Sequence, residues 1–311
     1  MSTPDRRGGY IFPLFPPPNG PNDAPIIIYG YIPSFALCIL AITLFTLASI
    51  LHARSLLKYK TYYFLPLTLA CILETIGYAF RTLSSRRDPY NVIDFVVQYF
   101  MIVTAPVFIS ASIYVCLSRL IMWAEGGEVG WRREGRWWFR PRVVLWSFVA
   151  ADVVSTVVQI AGAASIGKAE SNRKSPKVPN NILLGGLAFQ TFAFTIFLIL
   201  LAAFRYVLSP GAKRPAAVRA KDPFFAALGG ASLLIYLRTM FRLAETSQGV
   251  FGYLSSHEGF FGGLEFAPVV VAVWVLAAWH PGRWIPGRRV KGREGAEGEG
   301  AVGEVVEEAK V

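Results

Sequence analysis

The sequence predicts an all-α polytopic membrane protein, a seven-transmembrane-helix bundle with its N-terminus outside and its C-terminus cytosolic. Three observations carry that expectation. Of 311 residues, 54% are hydrophobic and only 16% charged, whereas soluble domains carry about 25% charged residues. Seven apolar segments each reach the roughly 20 residues that a helix needs to cross a hydrocarbon core of about 30 Å. The Lys and Arg residues, which bring the net charge to +11, fall mainly in alternate connectors, as positive-inside sorting requires.

Residues 1–28 read as an extracellular tail. They hold Arg6, Arg7 and a Pro-rich run from Pro13 to Pro25, but no apolar core of about 7–15 residues before a small-residue cleavage site. Residues 29–284 form the membrane domain. Its expected spans are Tyr31–Leu51, Tyr62–Leu83, Phe95–Ser118, Val143–Ala163, Ile182–Phe204, Pro223–Leu243 and Phe260–Trp279. Short polar connectors such as Ser84–Asn91 and Gly167–Asn180 separate them. Cys38, Cys71 and Cys116 all fall inside apolar stretches, which fits small buried hydrophobes and no metal or redox pair. Residues 285–311 turn from basic (Arg288, Arg289, Lys291, Arg293) to acidic (Glu294 to Glu308), a Gly/Glu composition that reads as a disordered cytosolic tail.

The first, third and fifth loops and the C-terminal tail hold 20 of the 31 basic residues, which places that side in the cytosol. Trp123, Trp131, Trp137, Trp138, Trp279 and Trp284 gather on the same side, as an interfacial aromatic belt would. The positive charge is therefore not a nucleic-acid footprint.

Ionisable groups inside a bilayer are costly and face a bundle interior or a wet cavity. Here they come at helical spacing. Glu74, Gly77, Tyr78 and Arg81 share one face of the second span; Asp152, Ser155, Gln159 and Gly162 share one on the fourth; Arg238, Arg242 and Glu245 end the sixth. Gln98, Gln190 and Glu265 add single polar groups to the third, fifth and seventh. With the expected orientation, nearly all lie in the outer half of the bilayer. The candidate substrate-binding site is an outer-half polar pocket lined by Glu74, Tyr78, Arg81, Gln98, Asp152, Gln159, Gln190, Arg238, Arg242, Glu245 and Glu265. Pro106 and Pro268 lie inside the third and seventh spans, as kinks or bending points.

The string Glu74-Thr-Ile-Gly-Tyr78-Ala-Phe-Arg81 resembles the E-x-x-G-Y-x-x-R signature of the fungal lipid-translocating exporters, which include 7-aminocholesterol-resistance and sphingoid long-chain-base-resistance proteins. Other blocks agree in order: Tyr31-Ile-Pro33-Ser34, Ala105-Pro106, Ile113-Tyr114, Asp152-x-x-Ser155-x-x-x-Gln159, Gly186-Leu187-x-x-Gln190, Arg238-x-x-Phe241-Arg242-x-x-Glu245, Glu258 and His280-Pro281. The resemblance covers residues 29–284. Glu265 stands where that family usually has Asp, and the fourth loop lacks paired cysteines. The resemblance implies translocation or export of amphiphilic lipids and resistance to toxic lipophilic compounds, with membrane lipids or amphiphilic small molecules as partners, no nucleic acid and no cofactor. The plasma membrane is the expected location, with the endoplasmic reticulum or vacuolar membrane as the alternative.

Rival classes leave weaker traces. Gly162-Ala-Ala-Ser-Ile-Gly167-Lys168 starts like a phosphate-binding loop, but Ala169 replaces the Ser or Thr that meets magnesium. A zinc hydrolase needs three or four convergent ligands. His52 and His280 belong to the expected cytosolic side and His257 to the outer one, and no Gly-x-Ser-x-Gly elbow occurs, so neither a metal site nor an enzyme is expected. A seven-helix lipid receptor shares helix count and orientation. Its usual marks are missing: Arg119 has no preceding acid and no Asn-Pro-x-x-Tyr ends the seventh span. Gly259-x-x-x-Gly263 is a weak helix-contact motif.

Overall fold

Pro33 and Ser34 set where the first helix starts. Ser34 is extended and its hydroxyl accepts from the Leu37 N–H, so α1 runs over Phe35–Tyr59 and not from Tyr31. Cys38, Ala41, Phe45, Ala48, His52 and Leu56 repeat every three or four residues and bury one stripe. Lys60, at φ 52°, turns the chain out of the helix.

The computed structural model describes residues 31–125, 140–171, 177–208, 216–249 and 252–285, with Tyr29 and a two-residue antiparallel pairing of Thr3–Pro4 with Tyr10–Ile11. A 3-10 turn, Tyr62–Phe64, leads into α2 (Leu65–Arg86). Asn91 caps α3 (Val92–Trp123) through the Ile93 and Asp94 N–H groups. Then follow α4 (Pro141–Ser171), α5 (Lys177–Val207), a helical turn at Ala216–Arg219 and α6 (Asp222–Ser247). The seventh span opens with Glu258–Phe260 and a π-helical stretch, Phe261–Phe266, before α7 (Ala267–Ala278) and a last turn, Pro281–Trp284. Among the described residues, seven helices are long and apolar enough to cross a bilayer, which makes the chain an integral membrane protein.

Several helices outrun their hydropathy signal. The fourth connector shows it best, because α4 continues through Gly167 to Ser171 and α5 begins at Lys177. Polar residues end an apolar window without ending a helix, whose terminal turns can stand in the headgroup layer. The phosphate-loop-like string from Gly162 to Lys168 is consequently helical, with no loop to cradle a phosphate. The run from Pro13 to Pro25 in the expected N-terminal tail and residues 286–311 of the expected C-terminal tail lie outside the described residues, as do Trp131, Trp137 and Trp138 of the expected belt.

Consecutive helices pack side by side from α1 to α7, α7 closes on α1, and α3 touches α6 across the interior. The inside is aromatic, with Phe45, Phe64, Tyr114, Phe194, Phe197 and Phe204 nearly fully buried. Large apolar residues such as Ile50, Leu57, Val157, Phe192, Ile199 and Leu233 face outward, the pattern expected of helices bathed in lipid. Close approach depends on small residues. A Cβ on Gly162 would lie 2.7 Å from the Leu183 nitrogen, and one on Gly77 would lie 2.7 Å from Ile102 Cγ1. Cys38, Cys71 and Cys116 are free and buried.

One end of the bundle is basic. There the Arg119 guanidinium covers the Tyr63 ring, Arg205 pairs with Asp222, Lys221 donates to the Trp284 carbonyl and Arg283 donates to Tyr59. His52, one residue past the expected first span, lies within α1, buried, with Nε2 3.2 Å from the Val273 carbonyl and its ring 6.2 Å from that of His280. Among the described residues no three His, Cys, Asp or Glu side chains are grouped to hold a metal ion.

Candidate functional site

Ionisable side chains collect inside the bundle, toward the end opposite the basic one, and form two layers. In the deeper layer Arg238 of α6 donates through Nε and Nη2 to Glu265 Oε1, at 3.1 and 2.5 Å. Both side chains are about 95% buried or more. Nη2 also reaches the Ile102 carbonyl at 3.3 Å. That carbonyl lies four residues before Pro106, which has no N–H to bond it. The proline frees an acceptor and the arginine takes it. Glu74 of α2 faces Arg238 and Glu265 electrostatically without a hydrogen bond among the described residues.

The second layer is displaced along the bundle by about one helical turn. Gln98 precedes Ile102 by four residues and Arg242 follows Arg238 by four, so each pair is about 6 Å apart along its α-helix, and Phe261 precedes Glu265 by four in the π-helical stretch. Here Arg81 of α2, 1% exposed, donates to Gln98 Oε1 at 3.3 Å and to the Tyr31 hydroxyl at 2.7 Å. Its guanidinium lies over the Phe261 ring at 4.0 Å and 3.7 Å from Glu258. Arg242 bridges Glu245, at 2.7 Å, and the Tyr99 hydroxyl, at 3.0 Å. Tyr78 separates the layers on α2, stacked on Phe45 and edge-on to Phe261 and Phe266.

The chain ahead of α1 roofs this layer. Tyr29 donates to Ser84, Ser85 donates to the Pro33 carbonyl at 2.6 Å, and the Ser34 N–H donates to Glu258 at 2.7 Å. Burial pushes the Tyr29 phenol up to about 12, against the pull of its Ser84 hydrogen bond and of Arg81. Burial likewise raises Tyr31, although Arg81 opposes it. Both phenols therefore stay protonated at neutral pH, and the Tyr31 oxygen serves Arg81 as an acceptor.

The remaining expected residues lie at other contacts. Asp152 of α4 accepts from the Tyr114 hydroxyl at 2.9 Å, across the α3–α4 seam. Gln159 donates to Gln190 at 2.8 Å between α4 and α5, where Gly186 packs against Ser155 and Gln159. The structure thus brings Glu74, Tyr78, Arg81, Gln98, Arg238, Arg242, Glu245 and Glu265 into the two layers and gives Asp152, Gln159 and Gln190 their own partners. Sequence reasoning left Tyr29, Tyr31, Tyr99, Glu258, Phe261 and the Ile102 carbonyl out of the site. Tyr31 and Glu258 stood in blocks of the family resemblance, and the Ile102 carbonyl had a local signal in Pro106 four residues on.

Polar capacity remains open among the described residues. Glu265 Oε2 and Arg81 Nε in the two layers, and Asp152 Oδ1 at the α3–α4 seam, are buried without a hydrogen-bond partner there. Buried polar atoms are ordinarily satisfied, so two acceptors and a donor left open inside a bundle are chemically available to a polar guest.

Comparison with known proteins adds identity to this geometry. A family model described as RTA1 like protein matches residues 67–288, which contain Glu74, Arg81, Gln98, Arg238, Arg242 and Glu265. Protoporphyrin uptake protein 1 of Saccharomyces cerevisiae is 26% identical over 288 residues, covering 81% of this chain and 91% of its own length. Protein RTM1 of Saccharomyces cerevisiae is 28% identical over 212 residues, 67% of this chain and 64% of that protein. The sphingoid long-chain base transporter RSB1 of Saccharomyces cerevisiae is 28% identical over 281 residues, 78% of this chain and 70% of its own. No solved structure matches the chain.

Proposed function

The chain belongs to the RTA1-like family, and on that footing we propose that it translocates or exports an amphiphilic lipid, such as a sphingoid base, a sterol-like compound or a phospholipid, across a fungal membrane. Two relatives named for moving amphiphiles, a sphingoid long-chain base transporter and a protoporphyrin uptake protein, support the class of substrate. Their names describe transport and uptake, and we read this chain as a non-enzymatic protein. The reading places the basic end in the cytosol, the α1 N-terminus outside, and the protein in the plasma membrane, where it confers resistance to toxic lipophilic compounds.

The observation that carries the proposal is the open polar capacity of a buried, charged interior. Glu74 has no hydrogen bond among the described residues, and Glu265 Oε2 and Arg81 Nε have no partner there either. A charge in that setting is expensive unless something pairs with it. A long-chain ammonium entering between helices places its N–H donors against Glu74 and Glu265. A phosphate headgroup instead faces Arg81 and Arg242, where planar guanidinium forks suit its oxygens. The acyl chain stays in lipid or against the apolar helix faces, so only the headgroup crosses the polar layers. The guest's donors and acceptors meet atoms that the closed bundle leaves open, which offsets the loss of headgroup hydration.

The test is flip of a fluorescent sphingoid base and of a fluorescent phospholipid across liposomes holding the purified protein. Flip is expected to exceed that in protein-free liposomes. Glu74→Gln lowers flip of the sphingoid base at least tenfold, and Asp152→Asn, at a separate seam, changes it less. Equal flip with and without protein overturns the reading.

A further inference from the structure

At the basic end, α1 and the last turn of the seventh span enclose a cleft of about 220 Å³ lined by Leu51, Arg54, Ser55, Lys58, Tyr59 and Arg283. We propose that this cleft binds the phosphate of an anionic membrane lipid, a site distinct from the charged layers at the other end.

The cleft is built by the fold. Leu51, Arg54, Ser55 and Lys58 fall at i, i+3, i+4 and i+7 of α1 and so share one face. The turn Pro281–Trp284 brings Arg283 to that face. His280 caps this turn by accepting from the Gly282 N–H at 3.2 Å, and its ring stacks on Tyr59 with centroids 5.7 Å apart. Gly282 sits so close to α1 that a Cβ there would lie 2.5 Å from Tyr59 Cβ. Arg283 Nε then donates to the Tyr59 hydroxyl at 3.1 Å.

Its charge calls for an anion. Among the described residues three cations line it and no carboxylate does, and Arg54 and Lys58, one turn apart, repel each other. Elsewhere Arg81, Arg205, Arg238 and Arg242 each lie beside an acid, while Arg86 and Arg119 lie over the Phe35 and Tyr63 rings. A phosphate would take a guanidinium fork, an ammonium and the Ser55 hydroxyl together.

Its depth points to a lipid. The 25 residues of α1 span about 37 Å, more than a hydrocarbon core of about 30 Å, so its last turns stand among headgroups. Leu51 in the cleft and Ile50 and Leu57 beside it are exposed on the membrane side, where an acyl chain can lie. The volume is smaller than the roughly 300–1,000 Å³ of sites that enclose a whole drug-sized ligand, which suits a headgroup whose tails remain outside. A zwitterionic headgroup would bring a fourth cation to the site and is disfavoured.

The experiment measures binding of dioctanoyl phosphatidate, dioctanoyl phosphatidylcholine and inorganic phosphate to the full chain in detergent, by native mass spectrometry. Phosphatidate is expected to bind, and the other two at least tenfold more weakly. Each cation facing an anionic headgroup contributes about fivefold, so Arg54→Gln with Lys58→Gln should weaken phosphatidate about 25-fold. Arg283→Gln alone should weaken it about fivefold, which keeps the test open if the double variant folds poorly. Arg140→Gln with Arg142→Gln removes the same charge from exposed positions at the same end and should change binding less than twofold. An equal loss in that control, equal binding of phosphatidylcholine, or phosphate binding as tightly as phosphatidate would overturn the proposal.

Discussion

Arg238 shows why the identity of single residues matters inside this bundle. Its three donations go to Glu265 and to the carbonyl that Pro106 leaves free. Removing one partner of a buried ion pair leaves an uncompensated charge and costs about 3–5 kcal/mol, whereas replacing both with well-packed apolar residues is often nearly neutral. Glu265→Ala should therefore lower the unfolding free energy of the detergent-solubilised protein by about that amount, and Arg238→Leu with Glu265→Leu by much less. A cost for the double variant equal to that of the single one would show that the pair does not act as a unit. Pro106→Ala supplies an N–H to the Ile102 carbonyl and competes with Arg238. Lipid flip should fall while the melting midpoint does not. Stripes such as Glu74–Tyr78–Arg81 were legible because a buried charge on an apolar helix is conspicuous in any hydropathy profile. Their partners were not, because Tyr31, Tyr99 and Phe261 are ordinary aromatic residues until the fold places them around an arginine.

Helices come together here where a side chain is absent. Between α4 and α5 the backbone of Leu183 lies 2.7 to 2.9 Å from where a Gly162 Cβ would be, while a Cβ on Gly185 meets nothing within 4 Å. The same change should have opposite signs at the two positions. Gly162→Ala should destabilise by about 1–3 kcal/mol through overpacking, and Gly185→Ala should stabilise by up to about 1 kcal/mol through helix propensity. Denaturant unfolding of the two variants checks both, and loss of stability at both positions would refute the packing argument. The seventh span solves a different problem. Pro268 follows directly on the π-helical stretch Phe261–Phe266, where the Ala267 N–H bonds Gly262, five residues back. Widening the helix just ahead of the proline relieves the clash its ring would make with the preceding turn, and it turns Glu265 to Arg238. Apolar periodicity marked Phe260–Trp279 as a helix but carried no sign of this local change of pitch.

Ring closure, α7 against α1 with α3 touching α6, turns seven amphipathic stripes into one interior. Cys38, Cys71 and Cys116 are all inside it, so the three thiols of the folded protein should resist a membrane-permeant maleimide and react together on unfolding. Rapid labelling of any one in the native state, read by intact mass, would contradict this packing. The number of spans, their approximate places and the polar character of one interior face follow from the sequence, because a bilayer forces apolar length and penalises every charge without a partner. Helix ends were less legible, since capping and headgroup-layer turns are polar and look like loop. Which charges meet was not legible at all. Arg238 finds Glu265, Arg81 finds Tyr31 and Glu258, Gln159 finds Gln190, and Arg283 reaches α1 because helices distant in sequence are neighbours in the ring. Helical periodicity says which way a side chain faces along its own helix; only packing determines what stands opposite.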